Sequence, residues 1–127
     1  MNNGIRSLTV RHTVDELVER LTALLAEKNI KLFALIDHSG EAATIGLHMP
    51  ATKLLIFGSP EAGTPVMLSA PSTALDLPLK ILLAQEADGT TLVSWNDATW
   101  LQQRHDFAQE LIANLAAVEA LARKASE

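Results

Sequence analysis

Apolar side chains recur at helical spacing in the stretch that follows Thr13. They are Val14, Leu17, Val18, Leu21, Leu24 and Leu25. Thr13 and Glu16 have the spacing of a capping box, in which each side chain accepts a hydrogen bond from the other residue's backbone N–H. Asn29 suits the left-handed conformation that ends many helices. This one-sided apolar stripe therefore predicts a helix from Thr13 to Lys28.

A second apolar stripe runs from Trp100 to Ala122. Its period predicts one C-terminal helix of about six turns. Asn96, Asp97 and Thr99 are alternative N-caps for this helix, because short polar side chains accept hydrogen bonds from the first free amides. The two predicted helices thus lie near opposite ends of the chain.

Short apolar runs between these helices predict strands. They are Ile30 to Ile36, Thr52 to Phe57, Leu79 to Gln85 and Thr91 to Trp95, preceded by Ile5 to His12 before the first helix. Asp88-Gly89 is a hairpin signal between the last two runs. We expect one domain over residues 1–127, of the α+β class, with two long helices packed on one face of a mostly antiparallel sheet.

The segment after the third strand resembles a phosphate-binding loop in its glycine spacing only. Gly58 and Gly63 have the spacing of a P-loop, but Thr64-Pro65 stands where that loop has its lysine. Pro60 removes one further amide. We instead expect both glycines to allow positive φ in tight turns, and a short helix over Glu61 to Ala70 that is either interrupted or started near Pro65, with Thr64 as a candidate N-cap. This helix would direct Met67 and Leu68 toward the core or a pocket.

Charge and composition exclude several classes of function. The net charge is -5, and the longest basic cluster is Arg123-Lys124, so a nucleic-acid partner is not expected. Cysteine is absent, which excludes thiol catalysis and Cys-ligated zinc. The N-terminal residues lack the apolar core of a signal peptide, and no apolar run approaches the roughly 20 residues of a membrane span. We expect a cytoplasmic protein without membrane contact, metal or cofactor.

Two groups of ionisable residues are candidates for chemistry. Asp37 and His38 follow the second strand, where a carboxylate could orient an imidazole or contact a ligand. Lys53, Asp76 and Lys80 would gather at one sheet edge if their strands are neighbours, either as a structural ion pair or as a pocket for an anionic ligand.

Other polar and aromatic residues carry weaker signals. No serine lies in a G-x-S-x-G elbow, which argues against a serine hydrolase. His105 is expected at the surface. Trp95, with the adjacent Asn96, and Trp100 lie at one strand–helix junction, where two indoles favour a core or a dimer interface over a cofactor stack.

Several strings of the sequence resemble those of the bacterial and archaeal domain-of-unknown-function family numbered 302. They are LLIFGSPEAGTPVM, ALDLPLKILL and SWND. Ile36-Asp37-His38 also matches that family's pattern, whereas Ser59 replaces its usual asparagine after Phe57-Gly58. The similarity extends from about Leu8 to Ala120. It implies a compact α+β fold similar to the TATA-binding-protein-like class and a tendency to form homodimers, but no activity and no DNA binding.

Two hypotheses of function follow. The first is a non-catalytic homodimeric module that binds a small or hydrophobic ligand, or a protein partner, at the loop from Gly58 to Pro78. The alternative is an enzyme in which Asp37 and His38 act as an acid–base pair and Lys53 or Lys80 stabilises an anionic intermediate. The candidate ligand-binding residues are Asp37, His38, Lys53, Gly58, Thr64, Met67, Asp76, Lys80, Trp95 and Asn96.

Homodimer formation is a separate expectation. A sheet with helices on one face leaves its other face to be covered, and a two-fold copy would cover it. The residues expected on the outward face are Leu54, Ile56, Ile81, Leu83 and Val93.

Overall fold

Five strands form a single sheet in the computed structural model, which describes residues 3–127. The strands are β1 (Ile5–Val10), β2 (Lys31–Asp37), β3 (Thr52–Gly58), β4 (Leu79–Gln85) and β5 (Thr91–Asn96). They are antiparallel throughout, in the spatial order β1-β5-β4-β3-β2. β1 and β2 are therefore the edge strands, and β4 lies at the centre. This confirms the α+β class with an antiparallel sheet.

Helices cover one face and one end of this sheet. They are α1 (Val14–Glu27), α2 (His38–Thr44), α3 (Pro60–Ser69), α4 (Ala98–His105) and α5 (Ala117–Ala125), with 3₁₀ helices at Pro71–Leu75 and Gln109–Leu115. α1 and α5 pack together against the central strands. Within residues 3–127, no helix combines the length and the apolarity that crossing a membrane requires.

The N-terminal helix follows its sequence signals closely. The Thr13 hydroxyl accepts from the Glu16 amide at 3.1 Å, and the Glu16 carboxylate accepts from the Thr13 amide at the same distance. Asn29 has a φ of 56°, in the left-handed region. Side-chain capping therefore begins α1 and a left-handed residue ends it, and the prediction of this helix is confirmed.

The prediction of one C-terminal helix is wrong, because the chain turns at Asp106. This residue ends α4 with a φ of 58°. Gln102 Nε2 donates to the Phe107 carbonyl at 2.8 Å, which holds the turn in place. The turn buries Phe107 among α3 and α4. Because the apolar stripe continues through the turn into α5, periodicity does not reveal the break.

Two hydrophobic clusters make up the core. The larger lies between α1, α5 and the sheet and contains Leu17, Leu21, Leu55, Phe57, Ile81, Leu83, Trp95 and Leu121, among others. The smaller contains Val66, Ala70, Leu101, Phe107 and Leu115. Leu79, at the start of β4, packs against both clusters. The smaller cluster therefore adjoins the end of the sheet where β3 stops at Gly58.

Three of the residues expected on the outward sheet face lie in the core instead. Ile81, Leu83 and Val93 are buried under the helices. The register between β3 and β4 explains the error. Leu54 lies opposite Leu82, so Leu82 shares the face of Leu54, whereas Ile81 and Leu83 point to the other face. Both faces of β4 are apolar, so alternation could not assign a side.

The other side of the sheet carries half-buried apolar residues that belong to neither core cluster within residues 3–127. We call it the open face; its apolar members are Ala34, Ile36, Leu54, Ile56, Leu82, Ala84 and Leu92. Leu54 and Ile56 lie on the predicted side.

The short helix after β3 agrees with the predicted range Glu61 to Ala70 and does not start at Pro65, but Leu68 on it is exposed and not directed toward the core or a pocket. Ser59 is its N-cap residue and Pro60 its first residue, a position that suits proline. Thr64 and Pro65 therefore lie inside α3, and the expectation that Thr64 caps the helix is wrong. Gly58 and Gly63 do not have positive φ, in contrast to Gly89 in the β4–β5 hairpin, whose φ is 88°.

Candidate functional site

A cavity of about 320 Å³ lies at the end of the sheet, where β2, β3 and β4 meet α3. It is lined by Phe33, Gly58, Ser59, Pro60, Ala62, Gly63, Thr64, Met67, Leu77, Pro78, Leu79, Asn114 and Leu115. Three of the candidate ligand-binding residues, Gly58, Thr64 and Met67, are thus brought together around one cavity.

Small residues help to leave this space open. A β-carbon on Gly58 would lie 3.6 Å from both the Phe33 ring and the Pro78 side chain. A β-carbon on Gly63 would lie 3.8 Å from Leu77 and Met67. Both distances are ordinary van der Waals contacts, so any larger side chain at either glycine would extend into the cavity.

The walls of the cavity are almost entirely apolar. Its polar side chains are those of Ser59, Thr64 and Asn114. The Asn114 amide donates to the Ala62 carbonyl at 3.0 Å and so joins α3 to the second 3₁₀ helix. No charged side chain lines the cavity within residues 3–127. An apolar body with few polar atoms fits such walls, because a charged group inside them would lose its hydration without a partner.

Lys80 lies beside this cavity on the open face. Its ammonium donates to the carbonyls of Asp76 and Pro78, both at 2.9 Å. Burial lowers the pKa of Lys80, since removal from water disfavours the charged form, while the nearby Asp76 carboxylate acts in the opposite direction. Lys80 thus anchors the loop that carries one wall of the cavity.

Asp37, His38 and Lys53 lie at the opposite end of the strands. Asp37 caps α2 by accepting from Ser39 Oγ at 2.7 Å and from the Gly40 amide at 2.9 Å. These two hydrogen bonds lower the pKa of Asp37. His38 is the first residue of α2. None of the three residues lines the cavity at Gly58.

The expected grouping of Lys53 with Asp76 and Lys80 is wrong. Lys53 pairs in register with Asp37 and Leu83, on the helix-covered face, whereas Lys80 pairs with Ile56 on the open face. The Lys53 ammonium instead binds Asp15 at 2.9 Å, which raises the pKa of Lys53. Lys53 and Lys80 lie on neighbouring strands. Because side chains alternate between the two faces along a strand, the two lysines point to opposite sides of the sheet.

The remaining aromatic candidates are parts of the core and its rim. Trp95 is buried in the larger cluster, with the Arg123 guanidinium 5.9 Å from its ring centroid. Asn96 ends β5 opposite Ile5. Trp100 packs against the smaller cluster. None of the three lines the cavity.

A hydrogen-bonded chain of side chains was missed by sequence reasoning. His105 Nε2 lies 2.5 Å from the Asp76 carboxylate, and His105 Nδ1 lies 2.8 Å from Ser72 Oγ. Arg104 also donates to Asp76. The His105 side chain is only 4% exposed, so the prediction of a surface histidine is wrong. The partners lie about thirty residues apart, and no local signal pairs the 3₁₀ helix Pro71–Leu75 with α4.

No metal centre is formed by the described part of the chain. Among residues 3–127, no group of three His, Asp or Glu side chains is placed to hold a metal ion. The protein is thus an α+β sheet protein with two candidate sites: an apolar cavity and a separate hydrogen-bonded set of serine, histidine and aspartate side chains.

The chain belongs to the family described as domain of unknown function DUF302, whose model matches residues 6–124. The fold agrees with the crystal structure of an uncharacterized conserved DUF302 protein from Bacillus stearothermophilus. That structure superposes with a TM-score of 0.80 and covers 98% of this chain and 97% of its own, at 19% sequence identity.

Curated relatives carry the name of a channel. A fluoride-specific ion channel, FluC 1, from Brucella suis is 35% identical over 105 residues, which cover 83% of this chain and 41% of that protein. The Brucella abortus FluC 1 is 35% identical over 105 residues, with 39% of its length covered. The chain therefore spans about two fifths of the length of these relatives.

Titration of Lys80 provides a test of its burial. Because its folded pKa lies below the usual value of 10.5, the unfolded chain binds more protons between these two values, and stability rises with pH in that window. We therefore expect the free energy of unfolding of the protein, relative to that of the Lys80→Met variant, to increase as the pH approaches 10.5 from below. Urea unfolding at a series of pH values measures this difference. A flat or falling difference would contradict the buried ammonium.

Proposed function

We propose that this chain is a non-catalytic binding module whose cavity holds a small, largely apolar molecule. The observation that carries the proposal is the cavity of about 320 Å³ with nearly uninterrupted apolar walls. A pocket of this size lies at the lower end of the range used for small ligands. An empty cavity would expose its apolar walls to water. An apolar ligand would displace this water, which is favourable through the hydrophobic effect.

The relatives support an accessory role for the domain. In the Brucella channels, the matched segment covers 41% or 39% of the polypeptide, so the rest of each protein lies outside the similarity. A domain of this family therefore occurs within a larger protein named for fluoride conduction. We infer a module that responds to a bound molecule and acts on a partner, and we do not assign ion conduction to it. A cytoplasmic location stays a prediction from sequence.

Filling the cavity should abolish ligand binding. The neutral dye N-phenyl-1-naphthylamine is the probe, because its fluorescence rises in apolar surroundings. We expect it to bind the protein and to lose affinity on the order of tenfold or more in Met67→Trp, whose indole would occupy the space. The matched control is Leu68→Trp on the same helix, since Leu68 is 79% exposed and does not line the cavity.

Two results would contradict this proposal. One is no dye binding by the unmodified protein. The other is equal loss of binding in both tryptophan variants, because the dye would then report general surface apolarity. Circular dichroism of both variants checks that each is folded.

We also propose that a second copy of the chain covers the open face. Apolar residues occupy the centre of this face, and the Lys80 ammonium donates to two carbonyls of its own chain. Two such largely apolar faces can bury each other across a two-fold axis.

Sedimentation equilibrium measures this association. The protein should be a dimer, and Leu82→Glu should convert it to a monomer, because removing a carboxylate from water between two apolar faces costs several kcal/mol. The control Leu68→Glu places the same charge on an exposed residue outside the face. A monomeric parent protein, or a dimer that survives Leu82→Glu, would refute the proposed interface.

Acyl transfer is a second candidate function, favoured by the Ser72–His105–Asp76 chain. Asp76 beside Arg104 is an acceptor, so His105 Nε2–H donates to it and Nδ1 is left to accept the Ser72 proton. Ser72 Oγ could then attack an ester carbonyl while its proton passes to Nδ1 and on to the departing alkoxide. The acyl group would remain on Ser72 until water removes it. We propose this hydrogen-bonded Ser72–His105–Asp76 set in place of the acid–base pair of Asp37 and His38, because the Asp37 carboxylate caps α2.

Incubation with p-nitrophenyl acetate tests this second candidate. We expect p-nitrophenolate release and acetylation of Ser72, located by peptide mass spectrometry. Both should disappear in Ser72→Ala and fall sharply in His105→Gln, but persist in Ser126→Ala, whose hydroxyl only bonds the Ala122 carbonyl. Unchanged release in Ser72→Ala would reduce the cluster to a structural link between the 3₁₀ helix Pro71–Leu75 and α4.

A further inference from the structure

Lys31 places a cation at the mouth of the apolar cavity, on the opposite side of Gly58 from the loop that Lys80 anchors. Lys31 is the first residue of the edge strand β2 and pairs in register with Gly58, a wall residue. Its ammonium lies 5.1 Å from the centroid of the Phe33 ring, which is another wall residue. Lys31 is exposed and does not itself line the cavity, so its ammonium lies in solvent beside two of the wall residues.

The local strand geometry explains why Phe33 and Lys31 reach the same place. The register between β2 and β3 shifts between Leu32 and Ala34, which marks a bulge. A bulge redirects the side chain of the extra residue. The Phe33 ring consequently lies over the Gly58 backbone, 3.6 Å from where a β-carbon would be. Phe33 remains 44% exposed, so the mouth beside it is accessible.

The charge at this mouth is not neutralised by the described part of the chain. Lys31 forms no salt bridge within residues 3–127. Glu61 lies between the wall residues Pro60 and Ala62, but it is exposed on the first turn of α3 and forms no ion pair with Lys31 within residues 3–127. The cavity thus combines apolar walls with a solvated positive charge at its rim, in a protein whose net charge is -5.

We propose that the occupant of the cavity is an amphiphilic anion, with its apolar body against the walls and its acidic head group at Lys31. A carboxylate, a sulfonate or a phosphate monoester would share this chemistry, since each offers oxygen acceptors to an ammonium. A neutral molecule would gain nothing from Lys31, and a cationic head would be repelled. This inference rests on the proposed binding function and specifies its ligand class.

A matched pair of dyes tests the head-group preference. 8-Anilino-1-naphthalenesulfonate has the ring system of N-phenyl-1-naphthylamine and adds one sulfonate. We expect the sulfonated dye to bind about two- to fivefold more tightly than the neutral dye at low salt, the range of one exposed ion pair. High salt should remove the difference, because charges are screened within a few ångströms.

Replacement of the cation distinguishes this inference from the proposed function. Lys31→Gln should lower the affinity of the sulfonated dye to that of the neutral dye. The control Lys124→Gln removes a lysine near the end of α5 that already lies near Glu127 and should keep the preference. Binding of both dyes with equal affinity to the unmodified protein, or a preference that survives Lys31→Gln, would overturn the anionic head group alone. Failure of both dyes to bind would overturn the binding function itself.

Discussion

A row of three side chains across the central strands determines the geometry of the whole molecule. Leu55 of β3 lies opposite Ile81 of β4, which lies opposite Trp95 of β5, and all three are buried under the helices. Because side chains alternate along a strand, this row directs the intervening residues to the open face. It also brings Gly58, at the end of β3, beside Pro78, where the cavity forms.

Sequence reasoning succeeded where local chemistry determines structure and failed where distant packing does. α1 was predictable because Thr13 and Glu16 cap each other, and the β4–β5 hairpin because Asp88-Gly89 favours a tight turn. The two faces of β4 could not be told apart, because both are apolar. The turn at Asp106 could not be predicted, because the apolar residues keep helical spacing across it although those before α5 pack in the smaller cluster and those of α5 in the larger.

The candidate site was predictable only in part, for the same reason. Gly58, Met67 and Leu68 were expected near a pocket because they lie in one loop-and-helix segment; Gly58 and Met67 line the cavity, whereas Leu68 is exposed. The link between His105 and Asp76 depends on two elements that meet only in the folded chain. Lys31 reaches the cavity mouth through strand pairing and a bulge, neither of which leaves a mark in the sequence.

The central claim is that the cavity beside Met67 binds an apolar molecule, and its methionines allow a direct measurement. The chain has three methionines; Met67 lines the cavity, and Met49 is exposed and lies outside it. Methyl NMR of protein labelled at methionine, titrated with N-phenyl-1-naphthylamine, would follow both. The account predicts a saturable shift of the Met67 methyl signal with Met49 unmoved. Dye binding that moves Met49, or leaves Met67 unmoved, would contradict it.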